Sequence, residues 1–392
     1  MRGEMRNAVF LALVAAVGGV CLLLLGVPAS AETSSWEGRV DGPAEAAPKK
    51  PAARRPPAAP VKIIKTVPAA PVELPVIAPS AIQQSPPAAP AGSPPAAGTP
   101  EASEHPKPHA QGEDAAYEAF DQGRYLTALK LALEAAAKGD PQAHTLVGRI
   151  YAEGYGAPRN PALAAQWYAR AAELGDPEGM FAYGLMLAEG EGVSKSLEAA
   201  ARFFEAAAAH KHALANYNLG LLFLRGEGKP ENPIRAFGHM LFAAESGVAV
   251  AQYDVGTFYA TGTGVDPNAF EAAKWIGKAA AQGHAEAQLD YAVLLFRGHG
   301  VPPDQKRGAA LFRAAAEKGL AVAQNRLARC YANGAGVEAS PLEASKWHLI
   351  ARASGVPDEG LDKVLAKLSR SDRDKAEKAA TEWRDRRQIG IE

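Results

Sequence analysis

The sequence predicts an all-α solenoid, a stack of antiparallel helix pairs that follows a region rich in proline and alanine. Three observations favour this fold class. Residues recur with a period of 36, a Gly-x-Gly step closes each predicted first helix, and a capping residue precedes each predicted second helix. A helix pair that repeats in this way cannot bury its apolar face alone, so it must stack on its neighbours.

The 36-residue period extends through more than half of the 392-residue chain. A small residue recurs at one position of each repeat, at Gly148, Gly184, Gly220, Gly256, Ala292 and Ala328. Two glycines follow six and eight positions later in every repeat, as Gly154 and Gly156 do in the first. Six registered repeats therefore run over residues 141–356 with no insertion.

Each repeat predicts a first helix with one buried stripe. In the first repeat, Ala143, Val147, Gly148 and Tyr151 recur at helical spacing. The small residue lets a neighbouring helix approach closely, and the Gly-x-Gly step ends the helix where a positive φ is needed.

The second helix of each repeat has its own start and stop signals. Proline follows the cap directly at Pro161, Pro233 and Pro341, at the one helical position that proline favours. The helix is expected to bury residues such as Ala164 and Trp167 and to end near a glycine such as Gly175. Residues whose side-chain oxygen can cap free N–H groups begin it, at Asn160, Ser196, Asn232, Asn268, Asp304 and Ser340.

These residues carry a resemblance. The pattern Ala-x3-Leu-Gly-x2-Tyr-x2-Gly-x-Gly-Val, followed by Ala-x2-Trp-x3-Ala-Ala-x2-Gly, resembles the Sel1-like repeat family, a relative of the tetratricopeptide repeat. The resemblance covers 141–356 and implies a right-handed superhelix that serves as an adaptor or scaffold. It also implies a periplasmic setting, since such bacterial proteins often act in envelope signalling or polysaccharide production. Departures are minor: Lys211 replaces a closing glycine, Lys229-Pro230 a Gly-Val step, and His239 a tryptophan.

Both ends of the array are interpreted as caps. Residues 113–140 predict a short tetratricopeptide-like helix pair, with apolar positions at Tyr117, Phe120, Ala128, Leu129, Ala132 and Leu133. Residues 357–392 predict a stripe that includes Leu361, and then a last helix capped by Ser371. Polar-backed end helices keep an open stack soluble.

The N-terminal region predicts export. Residues 1–31 have a positive start, an apolar run and the small-residue site Ala29-Ser30-Ala31, which is typical of a signal peptide. The alternative is an uncleaved membrane anchor, because the apolar run is long. Residues 32–112 predict a disordered linker, either a plain spacer or a contact for an anionic envelope polymer. We therefore expect a protein that is periplasmic or secreted, or anchored in the inner membrane if the signal remains. We also expect it to be monomeric.

The charge balance and the cysteine content bear on which partners and which covalent links the protein can have. The 42 Lys+Arg residues nearly balance the 43 Asp+Glu residues, which argues against broad attraction to nucleic acid. Cys21 lies in the apolar N-terminal run, so Cys330 has no disulfide partner in a mature chain. Cys330 occupies a repeat position that holds large apolar residues in other repeats, so we interpret it as a buried residue of the core.

A partner is expected to bind the open arc of the first helices, which by family analogy lines a concave groove. Apolar side chains placed where solvent is expected indicate an interaction surface. Tyr217 and Tyr253 are the expected anchors for an extended or helical protein segment, with Asn218 holding its backbone. The alternative is that curvature presses these side chains against neighbouring first helices. The predicted groove residues are Phe181, Leu185, Tyr217, Asn218, Leu221, Tyr253, Asp254, Leu289, Asp290 and Val293.

The sequence offers little catalytic chemistry, and we predict no catalytic residue, cofactor or metal. Six Gly-x-Gly copies in one phase indicate turns, because a phosphate loop needs further motif residues. His212 and His284 occupy the column of Asp140 and Asp176, where capping explains them better than metal binding. The predicted function is thus a non-catalytic periplasmic adaptor or regulator that binds a protein. The alternative is a β-lactamase-like envelope hydrolase or a protein that binds peptidoglycan fragments.

Overall fold

The structure, a computed structural model, describes residues 111–388, and every regular element in that part of the chain is an α-helix. Residues 1–110, which include the predicted signal peptide and almost all of the predicted linker, lie outside the described residues. The first helices of the six repeats are α3 (Pro141–Glu153), α5 (Pro177–Glu189), α7 (Ala213–Arg225), α9 (Ala249–Thr261), α11 (Ala285–Arg297) and α13 (Ala321–Asn333). The second helices are α4 (Pro161–Glu173), α6 (Leu197–Ala209), α8 (Pro233–Glu245), α10 (Ala269–Ala281), α12 (Gln305–Glu317) and α14 (Pro341–Ala353).

Two further helices flank each end of the repeats. The pair α1 (Gln111–Asp121) and α2 (Tyr125–Ala136) precedes them, and α15 (Glu359–Lys367) and α16 (Arg370–Gln388) follow. Each first helix packs on the second helix of its own repeat, and each second helix packs on the first helix of the next repeat. The predicted solenoid of tandem helix pairs is confirmed.

The predicted caps of the second helices are also confirmed. The Asn160 carboxamide oxygen accepts from the backbone N–H of Leu163 at 3.1 Å, and Asn268 accepts from both Phe270 and Glu271 at 3.1 Å. The other four predicted residues accept a backbone N–H in the same way, namely Ser196, Asn232, Asp304 and Ser340.

The two glycines of each Gly-x-Gly step have different structural roles. The first lies at the C-terminal cap of the first helix with φ between 66° and 79°, as the sequence predicts. The second also has a positive φ, and its backbone lies against the preceding repeat. A Cβ at Gly264, for example, would overlap the Pro233 carbonyl at the start of α8. The same step therefore ends a helix and lets two repeats approach closely.

The second helices close on residues in the left-handed region. Gly175, Gly247, Gly283, Gly319 and Gly355 have φ between 87° and 94°. Lys211 occupies the equivalent position after α6 with φ 62°, the one non-glycine residue of the described chain with a positive φ. The second repeat therefore keeps the turn but places a side chain where glycine is favoured.

The core is made of small and aromatic residues from both helices of each pair. Ala143 and Val147 of α3 are buried, and so are Ala164 and Tyr168 of α4. The Tyr168 ring lies over Gly148, where a Cβ would come 2.8 Å from the ring. The small residue is thus required by the large second-helix side chain that packs on it, which is Tyr168 or Phe204 in the first two repeats and Met240 or Ile276 in the next two.

The end helices follow the predictions with two differences. Leu133 of α2, an apolar position of the predicted cap, is 37% exposed. The last helix begins earlier than predicted, so the expectation that Ser371 caps it is wrong. The Ser369 hydroxyl accepts from the Asp372 N–H at 3.1 Å, and α16 then buries Ala376 and Ala380. Within residues 111–388, no helix has the length and apolarity that crossing a membrane requires.

Candidate functional site

The candidate site is the row of first-helix residues that do not face the second helices. We call it the first-helix face and define it by positions 5, 6, 9 and 13 of each repeat, counted from the first residue of the first helix. The predicted groove residues fall on this face and divide by repeat. Those of the second and third repeats are buried, namely Phe181, Leu185, Tyr217, Asn218 and Leu221. Those of the fourth and fifth repeats are partly exposed, namely Tyr253, Asp254, Leu289, Asp290 and Val293.

The residue at position 5 contacts either the first helix of the next repeat or the residue that caps that helix in most of the array. The Tyr217 hydroxyl donates to Asp254 at 3.0 Å, and the Tyr253 hydroxyl donates to Asp290 at 2.8 Å. Phe181 stacks on the His212 ring with centroids 4.5 Å apart. At the two ends, Thr145 donates to Asp176 at 2.5 Å and Asn325 donates to Asp358 at 3.0 Å. These contacts favour packing between neighbouring first helices as the role of Phe181 and Tyr217.

The sequence alone could have predicted the Tyr–Asp hydrogen bonds between repeats. A tyrosine and an aspartate 37 residues apart occur twice in succession, and a 36-residue period places such residues side by side in adjacent repeats. Donor and acceptor types at that spacing indicate a hydrogen bond between repeats.

The middle of the face holds carboxylates in an unfavourable environment. Burial raises the pKa of Asp254 to about 6, although the hydrogen bond from Tyr217 opposes the shift. Burial also raises the pKa of Asp290, opposed by the hydrogen bond from Tyr253. His284 stacks on Tyr253 with centroids 5.0 Å apart, and burial lowers the pKa of its imidazole. Ionisation of both carboxylates is therefore less favourable here than in solvent.

The C-terminal part of the face is basic. Arg326 and Arg329 lie one turn apart on α13, and Arg297 ends α11 in the preceding repeat. Asp358 accepts from Arg329 at 2.7 Å, and it also caps α15. Arg326 and Arg329 were not predicted as site residues, because arginines on a helix are usually solvated.

The isolated reactive side chains have structural roles. The imidazoles of His212 and His284 accept the N–H groups of Ala215 and Ala287, which confirms that they cap α7 and α11. In residues 111–388, His, Cys, Asp and Glu side chains form no group of three that could hold a metal ion. Cys330 is 4% exposed, and burial raises the pKa of its thiol to about 11. Its interpretation as buried packing is confirmed.

A fold of stacked helix pairs, with a mixed row of side chains along the first helices, defines a solenoid of the protein-interaction class. The model of the Sel1 repeat family matches residues 141–176, 177–212, 213–248, 249–284, 285–320 and 321–356. The chain belongs to the Sel1 repeat family, as its motifs indicated. Members of this family commonly act as scaffolds for protein–protein interaction.

Two solved structures of repeat proteins are similar to this chain. A Sel1 repeat protein from Oxalobacter formigenes is 30% identical with a TM-score of 0.54, over 62% of this chain and 97% of that one. A protective antigen from uropathogenic Escherichia coli with an SLR fold is 25% identical with a TM-score of 0.47, over 69% of this chain and 68% of that one. A comparison with curated proteins gave no significant match.

Proposed function

We propose that this chain is a non-catalytic adaptor of the bacterial envelope, and that it binds a protein segment along the first-helix face of its fourth to sixth repeats. One observation carries the proposal: apolar and polar side chains remain partly exposed there on one continuous row. Tyr253, Leu289 and Val293 supply the apolar surface. Val322, which is at position 2 of the sixth repeat and borders the face, is 47% exposed one turn before Arg326. Apolar groups that stay accessible in a row are favourable anchors for a partner.

The partner surface differs from the one that sequence alone suggested. Tyr217 is 4% exposed and bonded to Asp254, so it supports the array. Tyr253 keeps more accessible surface, although its hydroxyl is engaged by Asp290. We therefore assign the anchoring role to Tyr253 together with Leu289 and Val293.

The state of Cys330 supports a non-catalytic assignment. A nucleophilic cysteine needs a thiolate, and a thiol whose pKa is raised to about 11 is protonated at neutral pH. Trp275 and Trp347 are buried in second helices, which leaves them unsuited to act as platforms for a glycan.

Export is the part of the proposal that rests on residues 1–31 alone. An alkaline phosphatase fusion after residue 112 should be active in a bacterial host, and the mature N-terminus measured by mass spectrometry should be Glu32. An intact N-terminus in the membrane fraction would instead establish the anchored form. An inactive fusion would contradict export.

Site-specific crosslinking tests the binding surface. A photoreactive amino acid at position 289 or 293 should capture a defined protein in the producing cell, whereas the same amino acid at Lys306, exposed on a second helix, should not. Equal capture from all three positions, or none, would contradict the proposal. Hydrolysis of a chromogenic β-lactam, or sedimentation with isolated peptidoglycan, would overturn it in favour of an envelope enzyme or a glycan-binding protein.

A further inference from the structure

We infer that Arg297, Arg326 and Arg329 form a binding site for the carboxylates of an acidic protein segment, at the C-terminal end of the first-helix face. The inference rests on the proposed function, because it names the chemistry of the partner that this face would take. It rests on the three positive charges placed there and on the lack of an ion pair at Arg297 and Arg326 within residues 111–388.

The three guanidinium groups come from two consecutive repeats. Arg326 and Arg329 are three residues apart on α13 and therefore share a face of that helix. Arg297 lies at the end of α11, one repeat earlier. Partial desolvation lowers the pKa of the Arg326 guanidinium, and the like charges of Arg329 and Arg297 lower it further. The fold has brought three positive charges close together.

The carboxylate of Asp358 contacts Arg329 and acts on Arg326, and its oxygens are already engaged in hydrogen bonds. Asp358 is 8% exposed, and its oxygens accept from Asn325, from Arg329 and from the backbone N–H groups of Gly360 and Leu361. Burial opposes ionisation, but these hydrogen bonds hold the pKa of Asp358 below its usual value. Asp358 therefore pairs with Arg329 and acts on Arg326 more weakly than the two neighbouring arginines do, so the cluster keeps a net positive charge.

The remaining acidic groups of the face do not fill this role. Asp290 is engaged by Tyr253, and the charged groups that act on it are Glu286 and His284. Within residues 111–388, neither Arg297 nor Arg326 makes an ion pair or a side-chain hydrogen bond. Like charges held together without a partner are unfavourable for the free protein, and this is the arrangement expected where a bound anion supplies the missing charge.

The surroundings identify the anion as part of a protein. Val322 is exposed one turn before Arg326, and Leu289 and Val293 lie in the repeat that contributes Arg297. An occupant that satisfies both features carries carboxylates next to apolar side chains. Guanidinium groups bind carboxylates through paired, charge-assisted hydrogen bonds, and the neighbouring apolar surface favours a peptide over a small ion.

The test uses the full chain and a randomised peptide library. Immobilised protein is mixed with a library of nine-residue peptides, and the Asp and Glu content of the bound peptides is compared with that of the input. We expect at least about a threefold enrichment of acidic residues with the native chain. The variant R297Q/R326Q should lose that enrichment. The matched variant R202Q/K306Q, which removes two exposed charges from second helices, should retain it.

Three outcomes would overturn the inference. They are no acidic enrichment with the native chain, the same enrichment with R297Q/R326Q, and full competition by inorganic phosphate at the concentration of the peptides.

The melting temperature of R297Q/R326Q should equal or exceed that of the native chain, because the substitutions remove like-charge repulsion. The crosslinking experiment separates the two proposals: capture from position 293 that R297Q/R326Q leaves unchanged would preserve the adaptor function and reject the arginine site.

Discussion

Lys211 shows how a single residue can depart from a repeat without changing the fold. Its φ of 62° lies in the left-handed region, where five other repeat-closing positions have glycine. The side chain must therefore accept a backbone conformation that costs an L-residue on the order of 1 kcal/mol. The turn is retained because helices on both sides fix its two ends.

The first prediction concerns this position. Lys211→Gly should raise the free energy of unfolding by about 0.5–1 kcal/mol, because the relief of strain exceeds the added entropy of the unfolded chain. Chemical denaturation measures the change. Gly247→Lys is the matched control, since a Cβ at Gly247 meets nothing within 4 Å and the variant tests the backbone alone. It should lower stability by about 1 kcal/mol. A Lys211→Gly variant less stable than the native chain would refute this account.

Asp254 is a second residue whose environment opposes its ordinary state. Its pKa of about 6 in the folded chain lies above that of an unfolded aspartate, so ionisation opposes folding at neutral pH. The penalty is fully present above pH 6, declines as the pH falls through 6, and is absent below about 4, where the folded and unfolded forms are both protonated.

Asp254→Asn should therefore stabilise the chain at pH 7.5, on the order of 2 kcal/mol, and have little effect at pH 4. The carboxamide oxygen can still accept from the Tyr217 hydroxyl, so the link between repeats is preserved. Denaturation midpoints at the two pH values provide the measurement. Asp266→Asn, on an exposed loop, should leave the midpoint unchanged at both. A stabilisation of equal size at pH 4 and pH 7.5 would show that the carboxylate is not the cause.

At the scale of the element, the second helices begin where the sequence says they begin, because a cap is a local device. An Asn, Ser or Asp side chain satisfies N–H groups two or three residues ahead, so its effect can be read from a few consecutive residues. The first helices are less uniform. His212 and His284 cap theirs through an imidazole nitrogen, and Val248 and Leu320 supply no side-chain cap.

Removing a cap should thus have a measurable and local cost. Asn268→Ala should destabilise the chain by about 1–2 kcal/mol, because Asn268 accepts from two backbone N–H groups. Asn268→Asp keeps an acceptor and should stay near the native stability. Urea denaturation followed by circular dichroism measures both variants. A loss of equal size in Asn268→Asp would assign the effect to some other contact of the side chain.

The same contrast between local and distant signals explains what the sequence could predict. The helix starts, the Gly-x-Gly stops and the small-residue column depend on neighbours in the chain, and they were predictable. The split of the candidate site was not. Whether Tyr217 is buried while Tyr253 stays partly exposed depends on residues one repeat away, as does the meeting of Arg297 with Arg326. The last helix was misplaced because both Ser369 and Ser371 have the chemistry of a cap.

At the scale of the whole molecule, stability depends on contacts between consecutive repeats. In such an array the stability is close to a sum of repeat and interface terms, so one weakened interface divides the stack. The second glycine of each Gly-x-Gly step lies at such an interface. Gly264 approaches the Pro233 carbonyl of the preceding repeat, whereas Gly262 has the tip of the Pro267 ring, in its own repeat, 2.9 Å from the Cβ position.

These two glycines provide the last prediction. Both have a positive φ, 76° at Gly262 and 70° at Gly264, so replacement by alanine strains the backbone equally. Gly262→Ala should cost about 1 kcal/mol, and Gly264→Ala roughly 3 kcal/mol or more, because it also forces repeats three and four apart. Unfolding of Gly264→Ala should then show two transitions in place of one, since the blocks on either side no longer stabilise each other. Equal losses in the two variants, with one transition in each, would show that the second glycine serves only its turn.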